Sequence, residues 1–130
     1  MIKLSKKGSY ALKAVIYIAK SEDLVHISDI AEAEDISLSM LRRIIANLEK
    51  AGVLETIQGR NGGIKLGKKV HQISVFDILF AVGEELGITD CTKGLECDNQ
   101  NNCSTEVLLG GIQKGFNTLL HIYTLDKIIK

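Results

Sequence analysis

Every cysteine of this 130-residue chain falls in one stretch of thirteen residues, CTKGLECDNQNNC, as Cys91, Cys97 and Cys103 with five residues between neighbours. Thiolates are soft ligands that suit zinc or iron–sulfur clusters. Structural zinc sites favour short knuckle spacings and four protein ligands, so gaps of five and a missing fourth cysteine weigh against zinc. An iron–sulfur cluster accepts a non-cysteine ligand, with a change in its potential and lability. Gly94 and the run Asp98–Asn102 let the stretch bend around a cluster and offer backbone N–H groups to its sulfides. The bland alternative is three reduced, merely exposed thiols, and their confinement to thirteen residues weighs against it. An odd cysteine count points away from a disulfide framework and towards a cytosolic chain with metal-binding or redox-active thiols.

A second group of residues suits nucleic acid. The formal net charge is zero but uneven: residues 1–70 hold twelve Lys and Arg against eight Asp and Glu, and residues 71–130 hold four against eight. All three arginines, Arg42, Arg43 and Arg60, fall in the basic half, as a nucleic-acid-facing front with an acidic back requires. Within ISLSMLRRIIANLEKAG, Ser37 is a candidate N-cap and Gly52 a C-cap, while Leu38, Leu41, Ile44, Ile45 and Leu48 form an inward stripe. Ser37, Ser39, Met40, Arg42 and Arg43 lie off that stripe at or near the N-terminal end. A recognition helix presents that end to base edges in the major groove, where Arg pairs bidentately with guanine. Arg60 and Asn61 sit among glycines in GRNGG, and Lys65, Lys68 and Lys69 follow. A guanidinium there reaches a narrow minor groove, and the lysines supply phosphate contacts that make binding salt-dependent.

The elements that must position these groups can be read from period and punctuation. Hydrophobic residues at 45% and charged ones at 25% are ordinary for a globular chain, and the absence of proline and tryptophan, with few aromatics, favours helix. From Ser5 to Lys20, Leu4, Tyr10–Leu12, Ala14–Val15 and Ile18–Ala19 recur at helical spacing. This basic-then-apolar start is interrupted by Lys13, with no 18-residue span and no small-residue cleavage site, so it reads as an amphipathic helix and not as a signal peptide or membrane span. Ser28 is expected to cap a short second helix, SDIAEAED, which with the next makes a helix-turn-helix. VLETIQGRNGGIKLG then changes period, with Ile64 and Leu66 alternating after a glycine-rich turn, and predicts a hairpin wing with a flexible, basic tip. A further helix is expected over SVFDILFAVGEEL, with Ser74 and Asp77 in a capping-box arrangement. Residues 87–104 show no helix or strand pattern, which in a small domain usually marks a functional or a disordered stretch. The last helix, from about Thr105, carries Leu109, Ile112, Phe116, Leu119 and Tyr123 at steps of three and four, a narrow contact seam. The expected fold is mainly α with a small β-hairpin: a winged helix-turn-helix over residues 1–70, then a helix, the cysteine stretch and a long C-terminal dimerisation helix over residues 71–130, all one compact domain.

LSKKGSYAL, ISLSMLRRIIANLEKAGVL, GRNGGIKLG, SVFDILFAV and the C-x5-C-x5-C stretch together resemble, nearly end to end, the Rrf-two family of bacterial winged-helix regulators of the IscR and NsrR type. The resemblance implies a homodimer whose long C-terminal helices cross, and a [2Fe–2S] or [4Fe–4S] cluster whose state alters binding to double-stranded DNA. By position it makes Cys91, Cys97 and Cys103 cluster ligands, and places the Ser37–Arg43 segment and the wing on DNA. This chain departs from that pattern. Regulators of the IscR type carry a histidine three residues after the third cysteine, where Glu106 stands here. Relatives that take an acidic ligand from the partner's first helix do so near Gly8–Ser9, which offers no carboxylate. Glu106 is therefore the first candidate for a fourth ligand, with Asp90 or an external small molecule second. His26, His71 and His121 are expected to be ordinary surface or core residues.

These readings converge on a cytoplasmic, dimeric transcription regulator whose cluster reports iron–sulfur status, redox or nitric oxide. A cluster-free regulator that senses through thiol oxidation is the alternative, and an iron–sulfur protein that transfers electrons or binds a protein partner comes third. No nucleophile–base pair or phosphate loop is present, so an enzyme is not expected.

Overall fold

In the computed structural model, residues 4–84, 86–87 and 104–129 are described, with the side chains of 104–106 left aside. Helix α1 spans Lys6–Lys20, α2 Ile27–Glu34 and α3 Leu38–Lys50. Strands β1 (Leu54–Ile57) and β2 (Gly63–Leu66) form the hairpin, a 3-10 turn occupies Val70–Gln72, and α4 (Val75–Ala81), α5 (Ser104–Ile122) and α6 (Leu125–Ile128) complete the order.

Helix α3 forms where the caps and the stripe place it. The Ser37 hydroxyl accepts from the Met40 N–H at 3.4 Å, and Leu41, Ile44, Ile45 and Leu48 are buried against α1, α2 and β1. Gly52, at φ 80°, ends the helix: its N–H donates to Glu49 at 3.0 Å and that of Val53 to Leu48 at 2.9 Å, the paired bonds of a Schellman motif. Leu38 departs from the expected stripe and is 41% exposed. Side chains of a first turn project back towards the helix N-terminus, which carries Leu38 past the edge of the core.

The hairpin has the register Leu54↔Leu66, Glu55↔Lys65, Thr56↔Ile64 and Ile57↔Gly63. A third piece of extended chain joins it, for Val25 and Ile64 exchange N–H···O bonds of 3.0 and 2.7 Å. That bridge moves the start of α2. With Val25 held extended, the chain turns at His26, so His26 and not Ser28 is the N-cap, and the Asp29 carboxylate accepts the His26 N–H at 3.3 Å.

Helix α4 is shorter than the pattern suggested, although its start is as expected: Ser74 accepts from the Asp77 N–H at 3.2 Å, and Asp77 accepts from the Ser74 N–H at 3.0 Å. Replacing Ser74 by Ala removes one half of this box and should cost about 1 kcal/mol, measured as a lower urea midpoint at unchanged slope. Gly83, at φ 73°, stops the helix, with Gly83 N–H to Phe80 at 3.1 Å and Glu84 N–H to Leu79 at 3.0 Å.

Helix α5 packs on α4 and turns sharply into α6, which was not foreseen, and Tyr123 falls just beyond α5 rather than on its seam. The corner is pinned to the start of α4: Val75 N–H donates to Tyr123 and Leu125 N–H to Ile73, each at 2.9 Å. Its Thr124 hydroxyl bonds Asp126 and holds that carboxyl below the usual carboxylate range. The contact is therefore present above that range and is lost as pH falls through the folded value. One hydrophobic cluster runs from Ala11, Val15 and Ile18 of α1 through Ile30, Leu41 and Leu48 to Ile73, Ile78 and Leu125.

Candidate nucleic-acid interface

Ser37, Ser39, Met40, Arg42 and Arg43 are all exposed, on one end of a helix whose other face is core. At about 100° per residue, Ser39, Arg43 and Lys50 point away from the core stripe, while Arg42, Ala46 and Glu49 turn towards the hairpin. The structure thus separates the two adjacent arginines: Arg43 faces outward and Arg42 faces the wing.

Glycines shape both ends of the wing, Gly62 at its tip and Gly67 at its base, with no room for a side chain at either. A Cβ on Gly62 would sit 2.0 Å from the Ile57 carbonyl oxygen, and one on Gly67 would sit 2.4 Å from that of Gly52. Gly59, at φ 108°, lies in a region that side chains disfavour, and its carbonyl accepts the Gly62 N–H at 3.0 Å. Arg60 and Asn61 project from this turn and are exposed, as are Lys68 and Lys69. Lys65 is less free than its place in the sequence suggests, because its Nζ lies 3.8 Å from the Glu55 carboxylate on the facing strand. Both partners are about half exposed, so the pair is weak.

Cys91, Cys97, Cys103 and Asp90 lie outside the described residues, and Glu106 falls in the first turn of α5. What the structure does show is how the chain just before the cysteines is held. The Glu84 carboxylate accepts the Ser5 N–H at 2.9 Å and the Ser5 hydroxyl, while Ser5 Oγ accepts the Gly8 N–H at 3.1 Å. A carboxylate at a helix N-terminus is favoured by the helix dipole. Gly8 makes room for it, since a Cβ there would lie 2.6 Å from Glu84 Oε2. Two residues on, the Leu86 carbonyl accepts from Gln113 Nε2 at 2.7 Å, and Gln113 is 8% exposed on α5. Nothing in a local pattern marks these contacts; the glycines at 8 and 83 were the available signal.

The histidines serve the scaffold. His26 caps α2 and His71 lies in the 3-10 turn. His121 stacks on Phe76 with centroids 4.1 Å apart, and its Nδ1 donates to the Asn117 carbonyl at 2.7 Å. Along α5, Val107, Leu108, Ile112 and Leu119 stay exposed, Val107 to 85%, and Phe80 of α4, stacked on Phe76 with centroids 5.6 Å apart, is 67% exposed. Among the described residues no helix is long and apolar enough to cross a membrane.

Known proteins share this arrangement. Residues 4–130 match the family model Rrf2, described as an iron-dependent transcriptional regulator. The transcriptional regulator IscR of Vibrio campbellii is 31% identical over 131 residues, which are 99% of this chain and 78% of that protein. The transcriptional regulator NsrR of Bacillus licheniformis is 33% identical over 132 residues, covering 98% of this chain and 92% of that one. Among solved structures, CymR, the global cysteine regulator of B. subtilis, superposes with a TM-score of 0.82 at 24% identity, over 99% of this chain and 97% of that one. At that identity the likeness shows the fold alone: a winged helix, mostly helical with a two-stranded hairpin.

Proposed function

This chain belongs to the Rrf2 family of transcriptional regulators, and from that premise we propose that it is a cytoplasmic, dimeric, DNA-binding regulator whose three cysteines hold an iron–sulfur cluster. It is not an enzyme; its relatives are named as transcriptional regulators. The observation that carries the DNA reading is the exposed face of Ser39, Arg42 and Arg43 beside a basic, glycine-built wing tip carrying Arg60 and Asn61. Arg43, with Ser37 and Ser39, reads base edges, Met40 lies beside them, and Lys65 positions phosphate once it leaves Glu55. The exposed apolar residues of α5 support pairing with a second copy through that helix.

For the cluster, the donor set is Cys91, Cys97 and Cys103, with Glu106 as the fourth ligand, and [2Fe–2S] and [4Fe–4S] both suit three thiolates and an oxygen. When bound, the cluster supplies a centre that oxidants, nitric oxide or iron supply alter. The chain's part is to carry that state outward. Glu84 ties the approach to the cysteines to α1, and Gln113 ties it to α5; α1 in turn packs on α3.

The test is the absorption spectrum of protein purified without oxygen, with iron and acid-labile sulfide counted per chain, alongside DNA binding of the same sample. Visible charge-transfer bands with near-equal iron and sulfide, and an operator affinity that changes when the cluster is removed, are expected. A colourless protein that stays iron-free after anaerobic reconstitution, yet binds DNA, would move the three cysteines to thiol oxidation.

A further inference from the structure

The side of α3 that faces the wing carries Arg42, Ile45, Ala46 and Glu49, which is one stripe of a helix. Together with Val25, Ile64 and Thr56 this stripe lines a groove of about 330 Å³, the lower end of the size range of small-molecule sites. Its floor is apolar, since Val25, Ile45 and Ile64 are all buried. Three polar groups at the groove are unspent. The Thr56 hydroxyl is shut off from solvent and has no hydrogen-bond partner among the described residues, an unfavourable state for a polar group. Arg42 and Glu49 are exposed, and neither makes an ion pair among the described residues.

The two charges are opposite in sign and stand at opposite ends of the floor, about 10 Å apart along the helix at 1.5 Å per residue. A polyanion is a poor occupant, because Glu49 repels it at one end. A lone hydrophobe leaves both charges and the hydroxyl unmatched. We propose that this groove binds a small zwitterion whose two charges are separated by an apolar body, of the ω-amino-acid or short-peptide class. Its carboxylate pairs with Arg42, its ammonium with Glu49, its apolar body covers Ile45 and Ile64, and Thr56 supplies a hydrogen bond once its hydroxyl rotates out towards the groove. On the reading of α3 as the DNA reader, such a ligand engages the guanidinium that lies between helix and wing, and so competes with DNA for it.

The test is an amide NMR titration of the full chain without DNA, so that its result does not depend on whether α3 reads DNA. The probe is 6-aminohexanoate, with hexanoate and hexylamine as versions lacking one charge each. Saturable shifts at Ile45, Thr56 and Ile64 are expected for the zwitterion in the millimolar range, with each truncated probe at least five-fold weaker. Ala46→Phe fills the groove from an exposed position and should abolish the shifts while leaving the rest of the spectrum in place. Thr56→Val, which removes only the hydroxyl, should weaken binding two- to ten-fold. Equal binding of the three probes, no saturation by 6-aminohexanoate, or shifts that persist in Ala46→Phe would each overturn the proposal.

Discussion

Gly62→Ala should lower the stability of the chain by about 2–3 kcal/mol, a loss set by overpacking against atoms that cannot give way. The methyl group would meet the Ile57 carbonyl oxygen at 2.0 Å and the Gln58 carbonyl carbon at 3.0 Å. Both are backbone, held by the Ile57↔Gly63 end of the ladder, so relief requires the tip to open. For a chain of this size the change corresponds to a midpoint roughly 10 °C lower, read by circular dichroism. The control is Gly8→Ala, where a Cβ would also come too close, at 2.6 Å, but to the far end of the Glu84 side chain. That carboxylate can swing away. The lost bonds to Ser5 cost about 1 kcal/mol, and alanine in place of glycine in a helix returns about 0.8–1 kcal/mol, so the net change should be close to zero. Equal effects of the two substitutions would mean that the tip is not the tight backbone turn described above.

Those two glycines also show which parts of the architecture can be read from residues alone. Local rules spoke where both partners lie within a turn or two of each other: Ser37 with Met40, Ser74 with Asp77, and the glycines of the hairpin tip all follow from spacing. The exceptions have tertiary causes. Ser28 is a better capping type than His26, yet the bridge from Val25 to Ile64 fixes where the chain leaves extended geometry, and that decides the cap. The helix after Ser74 is expected to continue through Leu86, but Gly83 takes a left-handed conformation, which delivers Glu84 to a partner 79 residues away. No window of sequence holds both ends of that contact. The groove beside α3 was hidden for a similar reason. Arg42 and Glu49 lie about two turns apart on a visible stripe, but Thr56 and Val25 arrive from elsewhere in the chain.

The anchors around the cysteine stretch bear on how a signal there would travel. Glu84 holds α1 through Ser5, and Gln113 holds the Leu86 carbonyl while also donating to the Asn117 side chain at 2.8 Å. Asn117 in turn accepts from His121, which lies on Phe76 of α4. One face of α5 thus carries Gln113, Asn117 and His121 at steps of four, linking the approach to the cysteines with the corner where α5 meets α4. On the proposed function, movement at Leu86 would reach both α1, which packs on α3, and α5, whose apolar residues are exposed.

Arg43→Ala should weaken binding to a specific operator by roughly 5- to 150-fold, the equivalent of about 1–3 kcal/mol for a base-reading arginine. Its effect on DNA of random sequence should be far smaller. Arg43 is exposed, makes no ion pair among the described residues, and shares the outward face of α3 with Ser39. Lys68→Ala is the contrasting case. A lysine beside the wing adds charge without reading bases, so its loss should weaken specific and random DNA alike and lower the salt slope by about 1. Fluorescence anisotropy over a range of salt, on an operator selected from a random pool, measures both quantities. The pattern matters more than the size of either loss. If Arg43→Ala weakened both DNAs equally and Lys68→Ala relaxed specificity, the reading of bases would belong to the wing and α3 would be the phosphate anchor. If both variants left binding unchanged, the outward face of α3 would not touch DNA at all, and the unequal division of charge between the two halves of the chain would need another cause.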